Sequence, residues 1–265
     1  MKNKITITSL QDMKQKGEKI TSLTAYDASF ARILDEAGVD ILLVGDSLGM
    51  VLHGEDTTLK VKMSDMIYHT RQVRSGTQRA IIIGDMPFMS YTTPAQALGN
   101  AARLISEGGA EVVKLEGGRN QIETVGYLTN HDIPVCGHLG LTPQSIHKLG
   151  GYKVQGREDE SARQISADAK ALQDAGAGIL VLECVPHRLA TEITASLDIP
   201  VIGIGAGTHC DGQVLVLYDM LGISGKQPRF SRNFLENRQS ISMAVEEYVS
   251  DVKAGRFPAA EHQYD

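Results

Sequence analysis

The feature that most constrains the fold is a run of branched apolar residues that ends in a carboxylate and recurs along the chain. The clearest examples are ILLV followed by Gly45, and III followed by Gly84. Such continuous apolar runs are typical of strands buried on both faces of a parallel sheet covered by helices. Because the carboxyl ends of parallel strands carry the ligand site in α/β folds, the acids at these ends are expected to share one site. These acids are Asp46, Asp85, Glu116 and Glu183.

Eight predicted strands alternate with predicted helices, which favours an α/β fold of the (β/α)8 TIM-barrel type. Such a barrel takes about 250 residues, and the chain has 265. The alternative is a doubly wound open sheet, which would normally use fewer strands over this length. The predicted strands are 20–24, 39–45, 80–84, 110–116, 133–138, 178–183, 200–204 and 214–217.

The predicted helices include a short N-terminal helix over 6–17, which Thr8 or Ser9 could cap, and a C-terminal helix within 234–254. No linker or change in composition divides the chain, so one barrel domain over 1–265 is expected. The other predicted helices are 27–37, one that begins at Ser64, 94–107, 119–130, 161–175 and 186–196.

The segment 139–160 is rich in glycine and shows little periodicity. A loop of that length in a compact domain is usually functional, so it is predicted to be a lid over the site. The loop Gly203–Gly207 resembles a phosphate-binding turn but lacks the last glycine of GxGxxG, so it is interpreted as a tight turn beside the pocket.

Composition limits the class of protein and its partners. The apolar fraction of 42% and the charged fraction of 22% are those of a soluble globular protein, and the net charge of −6 argues against nucleic acid or anionic membranes as partners. Residues 1–19 show no signal peptide, and no run is long enough to span a membrane. The odd set Cys136, Cys184 and Cys210 has no CxxC pair and fits reduced structural thiols, so a cytoplasmic protein is expected.

Asp46 and Asp85 are candidate metal ligands. Each follows a glycine at the end of a predicted strand, and oxygen ligands alone favour Mg²⁺ or a similar hard ion. Either acid alone would more often be a turn or capping residue. Their recurrence in the same context on adjacent strands favours the metal site.

Lys114 and Glu116 are two positions apart in a predicted strand, so their side chains share one face. A lysine in an apolar strand is costly unless it is paired. The pair could be a structural ion pair, or Lys114 could hold a substrate carboxylate while Glu116 supports the metal directly or through water. Lys114 could also be a Schiff-base amine.

Glu183 ends the most apolar strand and is the candidate general base, although it could instead reach solvent past the strand end. His138, at another strand end, is a possible auxiliary hydrogen-bond donor, and a structural histidine is the alternative.

Several longer motifs resemble those of the 3-methyl-2-oxobutanoate hydroxymethyltransferase (ketopantoate hydroxymethyltransferase) family. The resemblance covers nearly the whole chain, from Thr24 to the region of Phe230, beyond which the match is looser. One departure is Lys60, where the family usually has proline. The motifs are LLVGDSLGM at 42–50, YHTRQV at 68–73, DMPFMSY at 85–91, VKLEGG at 113–118, GHLGLTPQSI at 137–146, GGYKVQGR at 150–157, VLECVP at 181–186 and IGIGAG at 202–207.

The resemblance implies a barrel enzyme of pantothenate synthesis that takes a 2-oxo acid, 5,10-methylenetetrahydrofolate and Mg²⁺, and that assembles into a homo-oligomer, often a decamer. It implies that Glu183 is the proton acceptor. By the same resemblance, Asp46, Asp85 and Glu116 form the Mg²⁺ site, and Asp46, Ser47, Asp85 and Lys114 contact the substrate.

Two other functions stay open on the sequence alone. One is a carbon–carbon lyase or mutase of the phosphoenolpyruvate mutase type, which also binds Mg²⁺ and an enolate but needs no folate. The other is a catalytically silent barrel that binds a metabolite or scaffolds an oligomer. The intact set of charged residues argues against the silent barrel, which has no chemical need for all of them. The set is Asp46, Asp85, Lys114, Glu116 and Glu183.

Overall fold

Eight parallel strands close into a barrel in chain order in the computed structural model, which describes residues 3–225 and 227–265. The last strand pairs with the first, with Gly212 beside Ile20, so the predicted barrel is confirmed and the open sheet is wrong. The strands are β1 Ile20–Thr24, β2 Ile41–Val44, β3 Ile81–Asp85, β4 Val112–Glu116, β5 Val135–Gly140, β6 Ile179–Glu183, β7 Val201–Ile204 and β8 Gly212–Leu215.

The helices are one that precedes β1 and others that follow the strands and cover the outside of the barrel. They are α1 Ile7–Gln15, α2 Ala28–Ala37, α3 Leu48–Val51, α4 Met63–Gly76, α5 Pro94–Ser106, α6 Ile122–Thr129, α7 Ile146–Leu149, α8 Asp159–Asp174, α9 His187–Ser196, α10 Leu217–Met220 and α11 Ile241–Lys253.

The strand residues divide into two apolar clusters because successive side chains point to opposite faces. In β2, Leu42 packs outward against the helices, whereas Ile41 and Leu43 pack inside the barrel. Leu10 of α1 joins the inner cluster. The N-terminal helix therefore packs against the apolar interior, while polar side chains occupy the carboxyl ends of the strands.

The C-terminal helix covers the seam where the barrel closes. The Tyr248 hydroxyl on α11 is fully buried and lies 2.9 Å from the carbonyl oxygen of Ser22 in β1 and 3.0 Å from that of Gln213 in β8. One side chain thus contacts both strands of the seam.

Several predicted boundaries were wrong. The cap of α1 is Thr6, not Thr8 or Ser9, because Thr6 accepts the backbone N–H of Ser9. The strand β8 begins at Gly212 rather than at Val214. Its first two residues are not part of an apolar run, and they form a strand because they pair with β1 and β7. The C-terminal helix begins only at Ile241, after the Ser240 cap.

The segment 139–160 is more ordered than predicted. It contains the end of β5, a 3₁₀ turn at Pro143–Ser145, the helix α7 and the first two residues of α8. Within residues 3–225 and 227–265, none of the helices is long and apolar enough to cross a membrane.

Candidate active site

The charged residues predicted from the strand ends come together at one mouth of the barrel. Together with His138 they lie in, or shortly after, the five consecutive strands from β2 to β6. The side chains of Lys114 and Glu116 are only 5% and 3% exposed, whereas Glu183 at the rim is 15% exposed. The interior of the barrel thus brings acids and a lysine together away from bulk water.

Asp46, Asp85 and Lys114 form the first half of the site. The backbone N–H of Asp46 donates to Oδ2 of Asp85 at 3.1 Å, and Nζ of Lys114 lies 3.2 Å from the same oxygen. Asp85 and Lys114 are direct neighbours in the pairing of β3 with β4. The predicted pairing of the buried lysine with an acid is therefore present.

Glu116, His138 and Glu183 form the second half. Nδ1 of His138 lies 3.4 Å from Oε1 of Glu116, and its Nε2 lies 3.2 Å from Oε2 of Glu183. Neither contact is aligned as a hydrogen bond. Nδ1 is also 3.3 Å from Nζ of Lys114, so His138 connects the two halves.

The pKa shifts reflect this crowding of buried charges. Burial raises the pKa of Asp46 to about 8, and the charges of Asp85 and Glu116 act in the same direction. Burial also raises the pKa of Asp85, although Lys114 opposes it. Burial alone would lower the pKa of Lys114, but the three acids outweigh it and leave this pKa raised. A protonated amine is not a nucleophile. The raised pKa of Lys114 and its contact with Asp85 therefore favour a charge-balancing role for this lysine over a Schiff base.

The pKa of His138 is raised as well. Burial and Lys114 would lower its pKa, but Glu116 and Glu183 outweigh them and place the pKa at about 9. Four carboxyl groups thus share one lysine and one histidine, and the raised pKa values of Asp46 and Asp85 show that the cluster is short of positive charge.

This donor set fits a hard divalent cation. Asp85 Oδ1 is buried without a hydrogen-bond partner among the described residues, which leaves one carboxylate oxygen available to a ligand. In the parts of the chain that the structure describes, no three His, Cys, Asp or Glu side chains stand close enough to enclose a metal. Mg²⁺ does not require this, because it usually keeps several waters and takes only one or two carboxylates.

Comparison with known proteins identifies the family. A family model described as ketopantoate hydroxymethyltransferase matches residues 4–260. The chain belongs to the ketopantoate hydroxymethyltransferase family. It is 63% identical over 262 residues to the 3-methyl-2-oxobutanoate hydroxymethyltransferase of Nitrosococcus oceani, with 98% of this chain and 99% of that one covered. The family resemblance found in the sequence motifs is thus confirmed.

Solved structures outside the ketopantoate hydroxymethyltransferase family share the barrel. A 2,3-dimethylmalate lyase of the PEP mutase/isocitrate lyase superfamily aligns with a TM-score of 0.60 and 16% identity over 94% of this chain and 98% of that one. A phosphonopyruvate hydrolase in complex with oxalate and Mg²⁺ aligns with a TM-score of 0.61 and 11% identity over 96% and 98%. At these identities the likeness concerns the fold alone.

Ser47 follows Asp46 at the start of α3. Its Oγ lies 2.9 Å from the hydroxyl of Tyr26, a residue within the family-like motif region to which the sequence had assigned no role. The two hydroxyls form one polar group beside the acid cluster. Whether Ser47 contacts a substrate stays a prediction.

Gln144 is the main site residue that the sequence patterns missed. Its Nε2 donates to Asp46 Oδ2 at 2.8 Å, its backbone N–H donates to Glu116 Oε2 at 3.0 Å, and its Oε1 accepts from the buried Tyr91 hydroxyl. Gln144 and Tyr91 lie in two of the ketopantoate hydroxymethyltransferase motifs, GHLGLTPQSI and DMPFMSY. That membership was the only signal, because neither residue ends an apolar run.

The backbone around Glu183 is tightly constrained. A Cβ at Gly140 would lie 2.2 Å from the carbonyl oxygen of Glu183, and Gly140 has φ +90°, so only glycine fits there. Cys184 adopts the unusual φ of +48°. All three cysteines are free and buried, and burial raises the pKa of Cys136 and of Cys210 to about 12 and also raises that of Cys184, as structural thiols require.

Proposed function

We propose that the protein transfers a hydroxymethyl group from 5,10-methylenetetrahydrofolate to 3-methyl-2-oxobutanoate and forms 2-dehydropantoate for pantothenate synthesis. The observation that carries the proposal is the convergence of Asp46, Asp85, Lys114, Glu116 and Glu183 inside the barrel of a ketopantoate hydroxymethyltransferase family member. The net reaction also consumes one water, whose oxygen becomes the new hydroxyl group.

Asp46, Asp85 and Glu116 would hold Mg²⁺. Their support is the unpartnered Asp85 Oδ1, the burial of all three acids and the excess of carboxylates over cations in the cluster. When bound, the ion supplies positive charge where negative charge develops on a 2-oxo acid. Direct or water-mediated contact by Glu116 fits this role equally.

Lys114 would bind the substrate carboxylate. It is the one lysine of the cluster, is buried among acids, and is held in place by Asp85 at 3.2 Å. A charge-assisted hydrogen bond to a carboxylate is roughly twice as strong as a neutral one. Ser47 would donate a further hydrogen bond to the same molecule, with Tyr26 orienting its hydroxyl.

Glu183 would remove the C3 proton of the 2-oxo acid. The proton moves to a carboxylate oxygen, and the C–H electron pair enters the enolate. Both carbon–nitrogen bonds of the folate methylene then break in the overall transfer, as the carbon forms one bond to C3 and one to the oxygen of water. The two folate nitrogens take up the proton lost from C3 and one proton of the water. Nε2 of His138 lies 3.2 Å from Glu183 Oε2 and would help to hold the base in position.

A proton NMR experiment in D₂O tests the proposal. With Mg²⁺ and 3-methyl-2-oxobutanoate alone, the enzyme should exchange the C3 proton for deuterium, and addition of methylenetetrahydrofolate should give hydroxymethyl product. Glu183→Gln should lose exchange and product, whereas Glu246→Gln, an exposed residue of α11, should retain both. A wild-type enzyme that neither exchanges nor forms product would contradict the proposal.

The same proposal includes a cytoplasmic homo-oligomer whose partners are the small-molecule 2-oxo acid and folate, with no nucleic acid or membrane partner. The net charge of −6 supports the exclusion of polyanionic partners. Exposed apolar side chains such as Tyr68 and Ile223, 54% and 55% exposed, offer surface for self-association. Sedimentation of the purified protein measures the state, and a monomer would contradict this part.

A further inference from the structure

A cavity of about 780 Å³ opens against the loop that follows β3 and is not used by the steps above. The connection between β2 and α4 forms one wall through residues 59–63, and the loop after β3 forms the other through residues 87–90. Gln96 and Asn100 of α5 complete the lining. Its volume lies within the range that holds drug-sized ligands.

The cavity is connected to the acid cluster through the loop after β3. Asp85 ends that strand, and the carbonyl oxygen of Met86 accepts a 3.0 Å hydrogen bond from Nε2 of Gln144, which also bonds Asp46. The next residues, 87–90, line the cavity. A molecule in the cavity would therefore lie next to a substrate bound at Asp85.

Ser90 is the observation that points to a polar ligand. The residue is only 6% exposed, yet its Oγ has no hydrogen-bond partner among the described residues. Its carbonyl oxygen is already occupied by Nδ2 of Asn100 at 2.7 Å. A buried hydroxyl without a partner costs free energy, and because Ser90 is one of the residues that line the cavity, a polar ligand atom there would satisfy it.

Phe88 and Met89 form an apolar surface on the same loop. They are 42% and 59% exposed, although an aromatic ring and a thioether are usually buried. Met89 also adopts φ +63°, a left-handed conformation that an unbranched residue rarely holds and that recurs at ligand sites. These two side chains suit the face of a flat ring.

The opposite wall carries positive charge. Lys60 and Lys62 are exposed and line the cavity. Lys60 is paired with Glu55, whereas no carboxylate lies within ion-pair distance of the Lys62 ammonium in the described part of the chain. A ligand that combines a flat ring with carboxylates at its far end matches these two walls.

We propose that this cavity binds the one-carbon donor, with its heteroaromatic ring against Phe88 and Met89, a polar ring atom on Ser90, and its glutamyl carboxylates at Lys62 and Lys60. The assignment rests on the proposed function, because a folate is the donor only if the chain is the transferase. It places the methylene carbon beside the acid cluster and the charged tail at the rim.

Calorimetric titration of the full-length protein with tetrahydrofolate tests the assignment. Phe88→Ala should raise the Kd about tenfold, since loss of ring stacking is worth about 1–3 kcal/mol and 1.4 kcal/mol is tenfold. Lys62→Glu should raise the Kd about tenfold as well, because it places a like charge beside the glutamyl carboxylates. Lys62→Glu should lose more affinity for triglutamyl than for monoglutamyl tetrahydrofolate. Lys16→Glu, an exposed lysine just after α1 at the opposite end of the barrel, is the charge-matched control and should bind as wild type does.

Steady-state kinetics separates failure of this assignment from failure of the proposed function. Wild-type exchange and transfer report on the function alone. The cavity is supported if the KM for methylenetetrahydrofolate rises in both variants without a matching rise for the 2-oxo acid, with circular dichroism confirming that they fold. Unchanged Kd and KM in both variants, in an enzyme that transfers the hydroxymethyl group, would overturn the cavity and leave the function intact.

Discussion

Gln144 Nε2 donates a 2.8 Å hydrogen bond to Oδ2 of Asp46, although the two residues are 98 positions apart in the chain. The same Gln144 bonds Glu116 through its backbone N–H at 3.0 Å. Two proposed metal ligands, from β2 and β4, are thus positioned by one residue of the turn after β5. Gln144 is therefore a positioning residue rather than a catalytic one.

Gln144→Leu should lower kcat/KM for C3 exchange by about ten- to a hundredfold, because a hydrogen bond to a charged group contributes about 1.5–3 kcal/mol. NMR exchange rates at several Mg²⁺ concentrations measure the effect. Excess Mg²⁺ should recover part of the loss, which a general folding defect would not allow.

Gln144→Glu should be worse than Gln144→Leu, because it adds a fifth carboxylate to a cluster that already has more acids than cations. Equal activity of wild type and Gln144→Leu would remove Gln144 from the positioning role. Gln164→Leu on α8, where the side chain bonds only Asp168, is the matched control.

Most of the acid cluster could be predicted from the sequence, because an apolar run that ends in a carboxylate is a local pattern. Lys114 and Glu116 share a face by the two-residue period of a strand, and both indeed lie inside the barrel. Gln144 could not be found this way, since it lies in a 3₁₀ turn and its contacts depend on tertiary structure. The start of β8 was missed for the same reason, because Gly212 and Gln213 become strand residues through pairing with Ile20 and Thr21.

Removal of divalent metal should abolish C3 exchange, and Mg²⁺ should restore it. Asp46→Ala should weaken Mg²⁺-dependent binding of the 2-oxo acid on the order of tenfold or more, because even indirect partners of metal ligands affect affinity by that factor. Isothermal titration with and without Mg²⁺ measures the difference. Asp12→Ala, an exposed residue of α1, is the control. Binding by Asp46→Ala that equals wild type would exclude Asp46 from the metal site.

Asp40 should contribute to stability in a pH-dependent way. Its fully buried carboxylate accepts from Thr21 and pairs with Arg79 and Lys253. Burial alone would raise its pKa, but Lys253, Thr21 and Arg79 outweigh burial and hold the pKa below its usual range. A lowered folded-state pKa means that the stabilisation is fully present above about pH 4, the ordinary Asp range, and is lost as pH falls through the folded-state pKa.

Asp40→Asn should therefore lower the free energy of unfolding at pH 7 by about 3 kcal/mol, as expected when a buried ion pair loses one partner. The difference from wild type should shrink as the pH falls below about 4. Urea unfolding at pH 7 and at acid pH measures both effects, with Asp12→Asn as the exposed control. A difference that is the same at both pH values would contradict the assigned ionisation of Asp40.

Tyr152 should close the segment 139–160 over the bound substrate. Its hydroxyl lies 3.5 Å from Sδ of Met50, which joins the loop after β5 to the helix that follows Asp46. Burial and the charges of Glu183, Asp46 and Glu116 raise its pKa, so the side chain lies near the acids although it is 53% exposed.

Substrate and Mg²⁺ should increase protection of residues 146–158 in hydrogen–deuterium exchange, because closure excludes water from the site. Tyr152→Ala should lose that protection and about tenfold in kcat/KM, whereas Tyr127→Ala, on the exposed side of α6, should lose neither. A segment equally protected with and without substrate would show that it does not act as a lid.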